Sequence, residues 1–66
     1  MHITVNGQQR RIEDGCSVTQ LLAELDAARQ RVAVEVNSAL VSHKSYAETV
    51  LRPGDAVEIV TFVGGG

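Results

Sequence analysis

The feature that most constrains the fold is one amphipathic helix pattern in a chain of 66 residues. Behind Ser17-Val18-Thr19-Gln20, apolar residues recur at helical spacing: Val18, Leu21, Leu22, Leu25 and Ala28. Ser17 and Gln20 fit a capping box, in which the serine hydroxyl accepts the Gln20 amide and the Gln20 side chain reaches back. We therefore predict a helix from Val18 to Arg29 that covers a sheet.

The length of the chain allows little else. About 60 residues bury only ~60% of their surface on folding, so one helix on one sheet fills the core and leaves no room for a deep catalytic cleft. Cys16 is the single cysteine, which excludes an internal disulfide framework and fits a reducing compartment. The expected class is α+β, with a cytoplasmic location.

Strand patterns lie on both sides of the helix. Residues 1–5 alternate apolar and polar, Asn6-Gly7 predicts a type I′ hairpin turn, and a mostly polar strand returns over about 8–13. After the helix, Val32 to Asn37 alternates, Asn37-Ser38 predicts a turn, and Leu40-Val41 a short strand. The order is then β-β-α-β-β-β, with the last strand over about 56–63.

The segment from 42 to 52 has no clean period. We expect turns or a short 3₁₀ piece there, with Tyr46, Val50 and Leu51 at the edge of the core. Pro53-Gly54-Asp55 predicts a type II turn into the last strand, because proline fixes φ and glycine supplies the positive φ.

Charge and composition exclude several classes of protein. The net charge is −2 and acids are interspersed with bases, which argues against binding nucleic acid or an anionic membrane surface. No apolar run approaches the ~20 residues that span a bilayer. His2, His43 and Cys16 have no ligand spacing, so no metal site is predicted. The expected partners are proteins.

The last strand runs directly into Gly64-Gly65-Gly66. Glycine has no Cβ, so such a tail fits a slot too narrow for other residues, and its end offers only a carboxylate. If the tail is functional, its chemistry is carboxyl activation by another protein. The predicted organisation is a domain over 1–63 and a flexible glycine tail over 64–66.

These features together resemble a known family. Met1-x-Ile3-x-Val5, the Asn6-Gly7 hairpin, the Ser17-capped helix, Val34-Glu35-Val36-Asn37, Pro53-Gly54-Asp55 and Phe62-Val63-Gly64-Gly65-Gly66 are similar to the ubiquitin-like β-grasp proteins. Within them, the chain most resembles the bacterial sulfur carriers of thiamine biosynthesis, the ThiS family. The fold that this resemblance implies is a mixed sheet with one helix packed across one face.

The resemblance also implies a function. A ubiquitin-activating-like adenylyltransferase would use ATP and Mg²⁺, which the carrier itself does not bind, to convert the Gly66 carboxylate to an acyl-adenylate. Sulfur from a cysteine desulfurase system would displace AMP and leave a thiocarboxylate, which thiazole synthase consumes. Gly65 and Gly66 would let the terminus reach both active sites, and Gly64 adds a third glycine to the tail where many relatives carry a larger residue. The carrier would be a protein substrate, with no catalytic residues of its own.

The same resemblance places Val57 and Ile59 inward on the last strand. Alternation then puts Glu58, Val60 and Phe62 on the outer face, and two large apolar groups beside the tail suit a partner interface. The alternative is that Phe62 folds back over the edge of the core.

Other readings of the chain stay open. The sulfur could serve molybdopterin, cysteine or another metabolite, or the chain could be a ubiquitin-like binding module whose glycines are incidental. A β-grasp ferredoxin is excluded, because its cluster needs four cysteines. Cys16, just before a helix, could have a lowered pKa, but we interpret it as structural.

Overall fold

The computed structural model describes residues 1–27 and 31–62. The strands are β1 (His2–Val5), β2 (Gln8–Arg11), β3 (Val32–Val36), β4 (Ala39–Val41) and β5 (Ala56–Thr61), and the helix is α1 (Val18–Glu24). A 3₁₀ turn covers His43–Ser45. The predicted order of elements and the α+β class are confirmed.

The strands form one mixed sheet in the order β2-β1-β5-β3-β4. The last strand, β5, lies at its centre, parallel to β1 and antiparallel to β3. The first and second pairs of strands are antiparallel hairpins on either side of it. The strand that leads to the glycine tail is therefore supported by neighbours on both edges.

The core lies between α1 and one face of the sheet. Ile3, Val34 and Val57 from the sheet are almost fully buried, as are Val18 and Leu21 from the helix. The alternation of strands and the helical stripe thus meet at one apolar interface, as the sequence predicts. Tyr46 closes one edge of it, where its hydroxyl donates to the Val32 carbonyl at 3.3 Å.

The hairpin turns have the predicted backbone. Asn6 and Gly7 both have positive φ, at 51° and 82°, as a type I′ turn requires. Asn37 and Ser38 repeat the pattern at 51° and 71°. Gly54 has φ 84°, which fits the type II turn expected after Pro53.

The helix begins as predicted and ends earlier. The Ser17 hydroxyl accepts the Gln20 amide at 3.1 Å, and the Gln20 side chain accepts the Ser17 amide at 2.8 Å. The helix stops at Glu24 rather than Arg29. Of the residues predicted to be helical, Ala28 and Arg29 lie outside the described residues.

A C-terminal cap explains the early end. Asp26 has φ 60°, its amide donates to the Ala23 carbonyl, and the Ala27 amide donates to the Leu22 carbonyl. This pair of bonds is a Schellman motif, which is usually made by glycine. An aspartate in the left-handed region gives a much weaker sequence signal than glycine, so the predicted helix extended beyond its actual end.

Two other boundaries and the burial of one residue differ from prediction. The second strand ends at Arg11 rather than Glu13, although the Ile12 amide still donates to the Met1 carbonyl. The last strand ends at Thr61, and Val63, predicted as its end, lies outside the described residues. Val50 is 54% exposed and not at the edge of the core, because its backbone bridges to Ser17 and alternation turns the neighbouring Leu51 inward.

Candidate functional site: the central strand and the outer sheet face

The candidate site is built on β5. Its side chains alternate: Val57 is buried beneath α1 and Ile59 is half-buried, whereas Glu58, Val60 and Phe62 are exposed. The predicted facing of these five residues is confirmed. Phe62 is 56% exposed, so the alternative in which its ring covers the core edge is wrong.

Asparagine side chains fasten β5 at two points. At its start, the Asn37 side chain accepts the Ala56 amide and donates to Asp55, both at 2.9 Å. Farther along, the Asn6 side chain accepts the Ile59 amide at 2.8 Å and donates to the Ile59 carbonyl at 3.1 Å. The strand is thereby held beyond the point where β1 ends.

The Asn6 bonds extend the sheet. The β1–β5 pairing stops at Val5 and Val57, where the chain turns into the first hairpin. The side-chain amide of Asn6 then takes the place of the next strand residue, because it accepts from the Ile59 N–H and donates to the Ile59 carbonyl. On the other edge, the Phe62 amide donates to the Arg31 carbonyl at 2.9 Å. Backbone pairing thus continues to the last described residue before the tail.

The outer face continues across neighbouring strands. Residues directly opposite in a sheet lie on the same face, and Val60 is opposite Ala33, Glu58 opposite Glu35, and Glu35 opposite Leu40. Leu40 is 72% exposed and Val60 57%. The exposed surface beside the tail is therefore larger than the sequence predicted. We call these residues the outer patch: Glu35, Leu40, Glu58, Val60 and Phe62.

Glu35 and Leu40 were missed as members of this surface. Alternation alone shows that each points away from the core, but it does not show which strands become neighbours. Only the order β5-β3-β4 places them beside Glu58. Exposed apolar surface of this kind is costly to leave in water and is typical of a contact region.

The single cysteine, Cys16, is a second candidate for chemistry. Cys16 is buried and its thiol donates to the Ser17 carbonyl at 3.4 Å. Burial raises the pKa of the Cys16 thiol, and the charges of Glu24 and Glu13 raise it further. The lowered pKa considered from the sequence is therefore wrong. Within residues 1–27 and 31–62, no cluster of three or more His, Cys, Asp or Glu side chains could hold a metal ion.

A shallow groove of about 330 Å³ lies on the helix side of the sheet, lined in part by Arg10, Leu25 and Thr61. It is on the face opposite Val60 and Phe62, so it does not belong to the outer patch. In the described part of the chain, no helix is long and apolar enough to cross a membrane. The predicted tail residues Gly64, Gly65 and Gly66 lie outside the described residues.

Comparison with known proteins identifies the family. The model of the ThiS family matches residues 3–66, which is nearly the whole chain, including the three glycines. The chain belongs to the ThiS family. The likeness to sulfur carriers and the ubiquitin-like β-grasp fold expected from the sequence are thereby confirmed.

Individual ThiS relatives agree with this assignment. The crystal structure of the thiamine biosynthesis protein ThiS from Geobacter metallireducens superposes with a TM-score of 0.85 at 36% identity, covering all of both chains. The sulfur carrier protein ThiS of Escherichia coli K12 is 27% identical over 66 residues, again covering all of both chains. The family thus includes a sulfur carrier of the same length.

Other relatives are longer. A thiazole synthase of Paramagnetospirillum magneticum is 41% identical over all 66 residues, and one of Magnetococcus marinus is 42% identical. The chain spans about a fifth of the length of these proteins, 20% in each case. A ThiS-like region therefore occurs within polypeptides named for thiazole synthesis.

Proposed function

We propose that this ThiS-family chain carries sulfur on the carboxylate of Gly66 and donates it to thiazole synthase in thiamine biosynthesis. The observation that carries the proposal is the family match through Gly66, on a chain that aligns end to end with a sulfur carrier. The chain would act as a protein substrate in this cycle, and its location would be the cytoplasm, where ATP is supplied.

The chemistry begins with a poor electrophile. A carboxylate oxygen of Gly66 would attack the α-phosphorus of Mg-ATP in an adenylyltransferase, with release of pyrophosphate. Hydrosulfide, released from the persulfide of a cysteine desulfurase by cellular thiols that are oxidised to a disulfide, would then attack the acyl carbon. The C–O bond to AMP breaks as the C–S bond forms, which leaves a thiocarboxylate. ATP and Mg²⁺ belong to the activating partner in this scheme.

The described geometry supports delivery of the tail. The fastening of β5 through Ile59 and Phe62 gives the tail a fixed point of departure. Gly64 and Gly65 have no Cβ, so the following residues can enter a narrow active site. The rigid strand would set the direction of the tail, and the glycines would allow entry.

Docking would use Val60, Phe62 and Glu58. Covering an exposed valine side chain contributes roughly 1–2 kcal/mol, because complete burial of Val is worth about 1.5–3 kcal/mol. Val60→Ser should therefore weaken binding to a partner by roughly 5- to 30-fold. Val50 is the matched control, since it is 54% exposed against 57% for Val60 but lies outside the outer patch.

Thiazole synthase is proposed as the acceptor because longer relatives bearing that name contain this domain. Domains that occur within one polypeptide in some organisms commonly work together when they occur on separate chains. A role in molybdopterin or cysteine formation would require the loaded carrier to transfer sulfur elsewhere.

The test is mass spectrometry after incubation with ATP, a sulfur source and the activating enzyme. We expect one oxygen to be replaced by sulfur on the peptide of residues 45–66, which contains neither Met nor Cys, so oxidation of those residues cannot mimic the change. The loaded carrier should then support thiazole formation by thiazole synthase. Sulfur on Gly66 without thiazole formation would redirect the carrier to another pathway. An unmodified peptide, with the enzyme active on another carrier, would favour a binding module.

A further inference from the structure

Two carboxylates lie directly opposite each other on the outer patch. Glu35 on β3 and Glu58 on β5 are Cα partners in the antiparallel register, and both are exposed. Like charges in this position destabilise a sheet. The ion pairs within residues 1–27 and 31–62 join the Met1 amino group to Asp14 and Arg10 to Glu24, so neither carboxylate of the opposed pair has a cation there. The fold itself gains nothing from this arrangement.

The surroundings of the pair are apolar. Leu40 is opposite Glu35 on the far side, and Val60 follows Glu58 by two positions on the same face. Any surface that covers Leu40 and Val60 must also cover the carboxylates between them. Burial of an unpaired carboxylate is costly, whereas a charge-assisted hydrogen bond offsets that cost. A partner that covers this patch therefore needs a cation at its centre.

The geometry favours arginine over lysine. Cβ atoms of opposite residues in a sheet are about 4.5–5.5 Å apart, and a planar guanidinium offers donors along several directions at once. A single arginine can therefore bond both carboxylates while its flat faces contact Leu40 and Val60. A lysine ammonium is a compact, strongly hydrated charge and matches the apolar rim less well.

We propose that Glu35 and Glu58, framed by Leu40 and Val60, receive an arginine from the surface of thiazole synthase. This inference rests on the proposed carrier function and adds to it the chemistry that selects the partner. Thiazole synthase is chosen because its name is carried by relatives that contain this domain. Glu35 becomes a specificity residue, although it lies on a different strand from the tail.

The test compares Glu35→Gln, Glu58→Gln and the double variant with Glu48→Gln. Glutamine keeps the size of the side chain and removes the charge, and Glu48 is an exposed acid outside the sheet. The Kd for thiazole synthase, measured by calorimetry, should rise about tenfold or more in each single variant, since such losses at buried charge pairs are large. In the double variant, the Kd should rise by a factor smaller than the product of the two single-variant factors, because both carboxylates share one cation.

Two further readouts separate this arrangement from a structural role. The free carrier should unfold at the same or a higher denaturant concentration in each Gln variant, because repulsion is relieved. The Kd of the wild-type chain should rise more steeply with salt than that of the double variant. Variants that are less stable than the wild-type chain would overturn the proposal, since the carboxylates would then be stabilising the fold.

Sulfur loading keeps this inference distinct from the carrier function. If the wild-type chain gains sulfur and binds thiazole synthase, but the Gln variants bind as tightly as Glu48→Gln, the arginine site is refuted and the carrier function stands. If the Gln variants lose binding to the adenylyltransferase but still bind thiazole synthase as the wild-type chain does, the choice of partner is refuted. If the wild-type chain neither gains sulfur nor binds, the carrier function and this inference both fail.

Discussion

Replacement of Asn6 by glycine should loosen the strand that leads to the tail. The Asn6 side chain makes two hydrogen bonds to the backbone of Ile59, at 2.8 and 3.1 Å. A net contribution of about 0.5–1.5 kcal/mol per bond gives ~1–3 kcal/mol, and the exposed setting favours the lower half of that range. Glycine keeps the positive φ of 51° at this position without strain, so the change removes the bonds and retains the turn.

A loss of about 1–2 kcal/mol is large for this chain. Domains have roughly 0.05–0.15 kcal/mol of stability per residue, and each kcal/mol lowers the midpoint of thermal unfolding by about 4–8 °C at this size. Urea denaturation should therefore show a lower midpoint with an unchanged slope. A changed slope would indicate a different unfolded state rather than lost bonds.

Asn37→Gly is the matched control. Asn37 also has φ 51° and bonds the start of β5 through Ala56 and Asp55. Both variants should lose similar stability, but only Asn6→Gly should speed hydrogen exchange of the Ile59 amide beyond the global effect. The reasoning is refuted if Asn6→Gly unfolds within about 0.3 kcal/mol of the wild-type chain, or if the Ile59 amide exchanges alike in both variants.

Three further substitutions test other parts of the fold. Ser17→Ala removes the capping box and should cost about 1 kcal/mol in urea denaturation; a neutral effect would show that the cap adds no stability. Tyr46→Phe deletes the buried hydroxyl that donates to a backbone carbonyl and should cost about 1 kcal/mol, whereas an unchanged midpoint would contradict a role for that bond. Because burial raises the pKa of the Cys16 thiol, the folded chain holds this proton more tightly than the unfolded chain. The stability that this raised pKa contributes is complete below the ordinary thiol pKa of about 8.5. It is lost as the pH rises through the pKa of the Cys16 thiol in the folded chain. Cys16→Ala should flatten that alkaline decline in the free energy of unfolding, and parallel pH profiles would refute the assignment.

The features predicted correctly from the sequence are those set within a few residues. Alternation identified the strands, Asn6-Gly7 the hairpin turn, and Ser17 with Gln20 the start of the helix. Each signal depends on contacts between near neighbours or on the allowed backbone angles of one residue type. The end of the helix was missed because its cap uses Asp26, whose left-handed conformation is uncommon for a side chain with a Cβ.

The orientation of the Val50 side chain shows a second limit of prediction from the sequence. Its apolar side chain suggested the edge of the core, but the pairing of its backbone with Ser17 turns it outward. That pairing joins segments 33 residues apart in the sequence (50 − 17), so no local pattern contains it. Hydrophobicity indicated that this segment touches the core, and the tertiary contact decided which residue does so.

The sequence by itself determined the elements of this protein, its family likeness and the glycine end to which the chemistry is assigned. Only the tertiary structure decided what lies beside the strand that leads there. The sheet order brings Asn6 to Ile59, 53 positions away, and sets Glu35 opposite Glu58. The physical reason is that helix and strand signals are local energies, whereas strand order follows from burying all the apolar faces against one helix at once.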